Sequence, residues 1–134
     1  MAKLSYIEGI GEVYSGKLKA AGIGSADSLL KKGATPKGRK EIAEKSGISE
    51  KLILEWVNHI DLYRVRGVGS EYADLLEEAG VDTVVELAQR SPANLYAKMI
   101  EVNQQKRLVR RMPLEYQVSR WVEEAKMLPR VVQY

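Results

Sequence analysis

Val65-Arg66-Gly67-Val68-Gly69 echoes Ile7-Glu8-Gly9-Ile10-Gly11, and the echo continues beyond the glycines. Tyr72 matches Tyr14, Leu76 matches Leu18, Ala79-Gly80-Val81 matches Ala21-Gly22-Ile23, and Leu87 matches Leu29, all at one offset of 58 residues (67 less 9). Two glycines separated by one apolar residue, set before a helix, make a tight turn whose backbone N–H groups point outward. Such groups hold a phosphate without reading a base. A duplicated turn therefore predicts two phosphate grips on one small body.

Working outward, Thr35-Pro36 is echoed by Ser91-Pro92 and Trp56-Val57 by Trp121-Val122, so the duplication runs the length of the chain. At 134 residues the chain suits one domain, residues 1–134, able to bury roughly two thirds of its unfolded surface. The expected organisation is a first repeat over residues 1–61 and a second over residues 62–134, sharing one core with pseudo-twofold symmetry.

The fold class expected is all-α, because the punctuation is helical throughout and no stretch alternates with period two. Gly22 and Gly80 close the helices after the glycine turns, Ser25 and Thr83 cap the next ones, and Thr83-Val84-Val85-Glu86 has capping-box spacing. Thr35-Pro36 and Ser91-Pro92 each place a capping hydroxyl before proline at the first helical position. Gly47 ends a third helix; Ser49 begins a fourth that carries Leu52, Ile53, Trp56, Val57 and Ile60 at helical spacing. The second glycine turn thus lies between two helices, whereas the first starts too near the chain start for a preceding helix of ordinary length. A C-terminal helix over 115–128, spaced like the one bearing Trp56, is predicted to fold back and pack on the first hairpin.

Composition excludes more than it names. The absence of Cys removes disulfides, thiolate metal sites and cysteine nucleophiles. The opening residues lack the apolar run of a signal peptide and no stretch approaches a membrane span, so a cytoplasmic protein with no membrane partner is expected. A net charge of +3 permits nucleic-acid binding without requiring it. The distribution is more telling: residues 1–61 hold nine Lys and one Arg, residues 62–134 three Lys and eight Arg. Guanidinium forks onto phosphate oxygens as ammonium does not.

Between proline and tryptophan the second half is longer by nine residues (29 against 20). The extra segment holds Lys106, Arg107, Arg110 and Arg111. On a helix these are i,i+4 neighbours in pairs, forming a basic stripe that is either an accessory phosphate contact or an ordinary solvated face.

The stretches Ile7 to Gly11 and Val65 to Gly69, each with its following helix, resemble helix-hairpin-helix motifs, which occur in DNA repair enzymes, X-family polymerases and the carboxy-terminal domain of the bacterial RNA polymerase alpha subunit. Over nearly its whole length the chain also resembles a bacterial and archaeal family of such tandem proteins whose function is unknown. The resemblance implies sequence-independent DNA contact through hairpin and helix N–H groups, in some cases with a monovalent cation on hairpin carbonyls; no cofactor or metal is assigned to this chain.

The main grip is expected at Arg64, Arg66, Gly67, Val68, Gly69 and Ser70, a weaker one at Gly9, Ile10, Gly11 and Lys17, and a secondary contact at Lys106, Arg107, Arg110 and Arg111. Glu8 and Glu12 flank the first turn with like charge. Glu71, Asp74, Glu77 and Glu78 do so beside the second. Structural turns with no ligand, and a protein-protein interaction or scaffolding module, are the alternatives to DNA binding.

No catalytic residue is assigned. Gly11 to Lys17 has phosphate-loop spacing, but Leu18 stands where Ser or Thr belongs and no strand precedes it. His59, the single histidine, reads as a surface or capping residue. Trp56 and Trp121 read as core anchors, with Tyr14 and Tyr72 bracing the turns.

Overall fold

The computed structural model describes residues 3–7 and 9–134. Hydroxyl caps and left-handed glycines divide the chain into α1 (Glu12–Ala20), α2 (Ala26–Lys32), α3 (Pro36–Ser46), α4 (Glu50–Leu62), α5 (Ser70–Glu78), α6 (Val84–Ala88), α7 (Pro92–Lys106) and α8 (Glu115–Met127), after a 3₁₀ turn at Leu4–Tyr6. There is no strand among the described residues, and the protein is all-α. Ser25, Thr35, Thr83 and Ser91 each accept a hydrogen bond from the backbone N–H three residues on, at 3.1–3.5 Å. In the Thr83 cap the return arm lands one residue upstream, Glu86 accepting from the N–H of Asp82 at 3.3 Å. Gly22, Gly47 and Gly80 have φ of 87°, 74° and 96°, a conformation that other residues resist.

The chain forms two compact units: Met1–Asp61 with Val131–Tyr134, and Leu62–Arg130. In the first, α1 packs on α3 and on the 3₁₀ turn, and α2 packs on α3. Ile7, Leu18, Ile23, Leu29, Ile53 and Val57 are its most deeply buried side chains. The single arginine of the first half is structural here. Arg39 is 6% exposed and donates from Nη1 to the Gly33 carbonyl (2.8 Å) and from Nη2 to the Gln133 carbonyl (2.7 Å). The Gln133 N–H in turn bonds the Ala34 carbonyl at 2.7 Å, and the Tyr134 hydroxyl reaches Asn58 Oδ1 at 3.3 Å. Residues 131–134 are thereby strapped onto the first unit. His59, expected at the surface, is buried, as is every residue of α4 from Trp56 to Leu62.

In the second unit α8 packs on α6 and α7, and α5 on α7. The core joins Leu62, Val65, Leu75, Leu76, Leu95, Met99, Val118 and Val122. The helix expected to serve the first hairpin, residues 115–128, is here α8, whose indole Trp121 faces Gly67 of the second turn. A Cβ built on Gly67 would stand 3.1 Å from Trp121 Nε1; the group facing Gly9 is Trp56 Nε1, at 3.5 Å from such a Cβ. Each glycine turn thus finds the tryptophan that follows it in its own unit, since a residue without a side chain leaves the flat backbone face that an indole edge can cover.

The nine extra residues do not form a basic helix. Four lengthen α7, 15 residues against 11 in α3, and five lengthen the connection that follows, residues 107–114 against 47–49. Arg107 ends α7 in the left-handed conformation (φ 50°), the place held by Gly47 after α3. Helix cannot resume there because Pro113 drives Met112 out of the helical region. The Asn103 side chain then fixes the loop, accepting from the Val109 N–H (3.0 Å) and donating to its carbonyl (3.2 Å). Lys106 therefore lies on a helix, Arg107 at its cap, and Arg110 and Arg111 in a loop, so no i,i+4 stripe exists.

Candidate nucleic-acid interface

The two glycine turns have nearly the same backbone geometry. Gly9 has φ 90° and Gly67 φ 92°; Gly11 and Gly69, which cap α1 and α5, have φ/ψ of −92°/−167° and −102°/−168°. In each, an apolar N–H closes the turn on the residue three before it, Ile10 to Ile7 and Val68 to Val65, both at 3.1 Å. Ile10 and Val68 are buried while Gly9, Gly11 and Gly67 are exposed, so the middle residue anchors the turn and the glycines present its backbone.

The following helices open without a side-chain cap, in contrast to α2, α3, α6 and α7. The first N–H groups of a helix have no partner within it and carry the positive end of the helix dipole. Glycine at the cap has no side chain to accept from them. Glu12 and Glu71 sit exposed in the first turns of α1 and α5; Glu8 lies outside the described residues.

Around the first turn, Lys17 is exposed and its ammonium stands 5.9 Å from the Tyr14 ring, which meets Trp56 edge-on at 5.2 Å. Residues 12–20 are helical, so the phosphate-loop spacing at Gly11 to Lys17 makes no loop. Around the second turn, Arg64 is half-buried and donates to the Pro129 carbonyl at 2.6 Å, tying the start of the turn to the chain after α8. Arg66 keeps an exposed guanidinium. Its backbone N–H donates to Glu124 Oε2 at 2.6 Å. Ser70, half-buried, is the first residue of α5.

The secondary contact changes shape. Tyr72, in the first turn of α5, packs on Trp121 at 5.4 Å and donates its hydroxyl to the Arg111 carbonyl at 3.0 Å. That bond brings the Arg110–Arg111 loop beside the helix that the second turn opens, with both side chains exposed. Lys106 is drawn to the other end of α5, paired with Glu78 at 2.6 Å.

Sequence reading missed the groove between the second turn and α8, about 530 Å³, whose lining includes Arg66, Gly67, Arg120, Trp121, Glu124 and Met127. Glu124 follows Trp121 by three residues and so shares its helix face. That spacing was the available signal, legible only once Trp121 is known to face Gly67.

A family model described as Domain of unknown function (DUF4332) matches residues 8–128, with the glycines of both turns and the whole of α8 included. The chain belongs to this family. No curated protein and no solved structure matches it. Membership in DUF4332 thus fixes kinship and leaves the chemistry to the two turns. No described helix of this DUF4332 chain is long and apolar enough to cross a membrane.

Proposed function

We propose that this DUF4332 protein is a cytoplasmic, non-enzymatic module that binds duplex DNA without sequence preference, through tandem helix-hairpin-helix motifs formed by its two glycine turns and the helices they open. The observation that carries this reading is the pair of glycine-capped helix starts at Gly11 and Gly69, alike in backbone angles, where α2, α3, α6 and α7 are capped by hydroxyls and α8 opens at Leu114. Backbone N–H groups hold phosphate oxygens; the Arg66 guanidinium adds a charge-assisted bond, with Arg110 and Arg111 alongside. The second turn is the main grip, since cations gather there, and Arg64 sets its position through the Pro129 carbonyl. No side chain is committed to a base edge.

Arg66→Ala tests this directly, because that side chain is exposed. Affinity for unrelated duplexes should fall by about the same factor, roughly three- to ten-fold, and the salt slope should flatten by about 1. Unchanged affinity places the contact elsewhere. The acidic residues of α5, Glu71, Asp74, Glu77 and Glu78, favour a basic protein partner as the second reading. Absence of DNA binding with specific capture of such a partner would support it.

A further inference from the structure

An anion already sits on the second turn. Glu124 Oε2 accepts from the Arg66 N–H at 2.6 Å, within the stretch whose N–H groups are assigned to phosphate. We infer that Glu124 is an internal competitor that guards this turn, and that a phosphate oxygen engages it by displacing the carboxylate. The inference rests on the phosphate-binding reading above and specifies how that site is regulated.

A carboxylate and a phosphate oxygen are both anionic acceptors for a backbone N–H, so they compete for one position. The bond lies at the surface, and Glu124 itself is only half-buried, so the side chain can swing out without opening the core. Arg66 and Arg120 line the same groove and offer the displaced carboxylate a cationic neighbourhood. Displacement is therefore favourable only for a ligand that brings several phosphates at once. A lone phosphate would exchange one anion for another with little gain, whereas a polyphosphate backbone gains contacts along its length. Glu124 thereby disfavours small phosphorylated molecules relative to nucleic acid.

The neighbouring Glu123 supplies the control. It carries the same charge and lines the same groove, but its partner is Lys126, at 3.1 Å. The experiment measures binding of a labelled duplex at low salt by fluorescence anisotropy for the full chain and for Glu124→Gln, Glu124→Ala and Glu123→Gln, with circular dichroism confirming the fold. Gln keeps the size of the side chain and a neutral acceptor, so Glu124→Gln holds the turn even if Glu124→Ala loosens it. Expected is about ten-fold tighter binding for Glu124→Gln and less than about two-fold change for Glu123→Gln. Equal gains from both glutamates would mean that bulk charge alone acts and would overturn the guard; so would wild-type binding left unchanged by Glu124→Gln. Binding by none of the four proteins would instead sink the DNA-binding reading itself.

Discussion

Gly38→Ala should destabilise the protein by about 3 kcal/mol or more, lowering its melting temperature by roughly 10 °C. Gly38 lies in the first turn of α3, where its N–H bonds the Thr35 cap. A Cβ there would fall onto the Lys32 carbonyl oxygen at the end of α2. The obstacle is backbone on both sides, so no rotamer change relieves it and the α2–α3 corner must open. Helix propensity alone gives the opposite sign, since alanine is favoured over glycine inside a helix by about 1 kcal/mol. Thermal unfolding followed by circular dichroism decides between them. Asn94, which stands in α7 where Gly38 stands in α3, is the control: it is exposed, and Asn94→Ala should cost less than about 1 kcal/mol. A Gly38→Ala protein as stable as wild type would show that the corner is looser than described.

Arg39→Ala should cost about 2–4 kcal/mol. The guanidinium serves two carbonyls from different parts of the first unit, Gly33 and Gln133, and its removal strands both and empties the space of the stem. Burial pulls this guanidinium below its ordinary pKa, and the charges of Tyr134 and Glu50 push back. A depressed pKa means that the charged form is held at some cost, which the two carbonyl acceptors offset; arginine nonetheless stays protonated at any pH the fold tolerates, so no pH step is expected. Lysine presents no fork and should rescue little. Two measurements check the account. Urea unfolding should show the loss of stability, and hydrogen exchange at the Gln133 amide, bonded to the Ala34 carbonyl at 2.7 Å, should accelerate as residues 131–134 release. A Gln133 amide that stays protected in Arg39→Ala would contradict the strap.

Local structure was largely legible in the residues. Ser25, Thr35, Thr83 and Ser91 cap helices, and Gly22, Gly47 and Gly80 end them, because caps and left-handed glycines act within a few residues and leave a local mark. The basic stripe failed for a local reason too. Arg107 takes the left-handed conformation that glycine usually supplies, so the end of α7 carries no compositional flag, and Met112-Pro113 was the overlooked sign that helix does not resume.

What sequence did not reveal is long-range. That Trp121 faces Gly67 and Trp56 faces Gly9 depends on which faces meet in three dimensions, which spacing along the chain does not specify. Arg39 carries no local mark of burial, yet it is buried on two carbonyls, one of them 94 residues away in the chain. Gly38 carried no signal because close approach of two backbones leaves no trace in composition. At the candidate interface the residues of the turns were named from the repeat. Glu124 and Arg120 were not, since their relevance follows only from where α8 lies beside the second turn.

The central claim is that the paired glycine turns grip DNA through its phosphates. Fluorescence anisotropy of a short labelled duplex, titrated with the full chain at several salt concentrations, tests it most directly. Four to six phosphate contacts predict a log-log slope of about −4 to −5, with affinities for unrelated sequences nearly equal. No binding at about 50 mM salt, where such a slope makes affinity high, would contradict the claim and leave both turns as joints between helices.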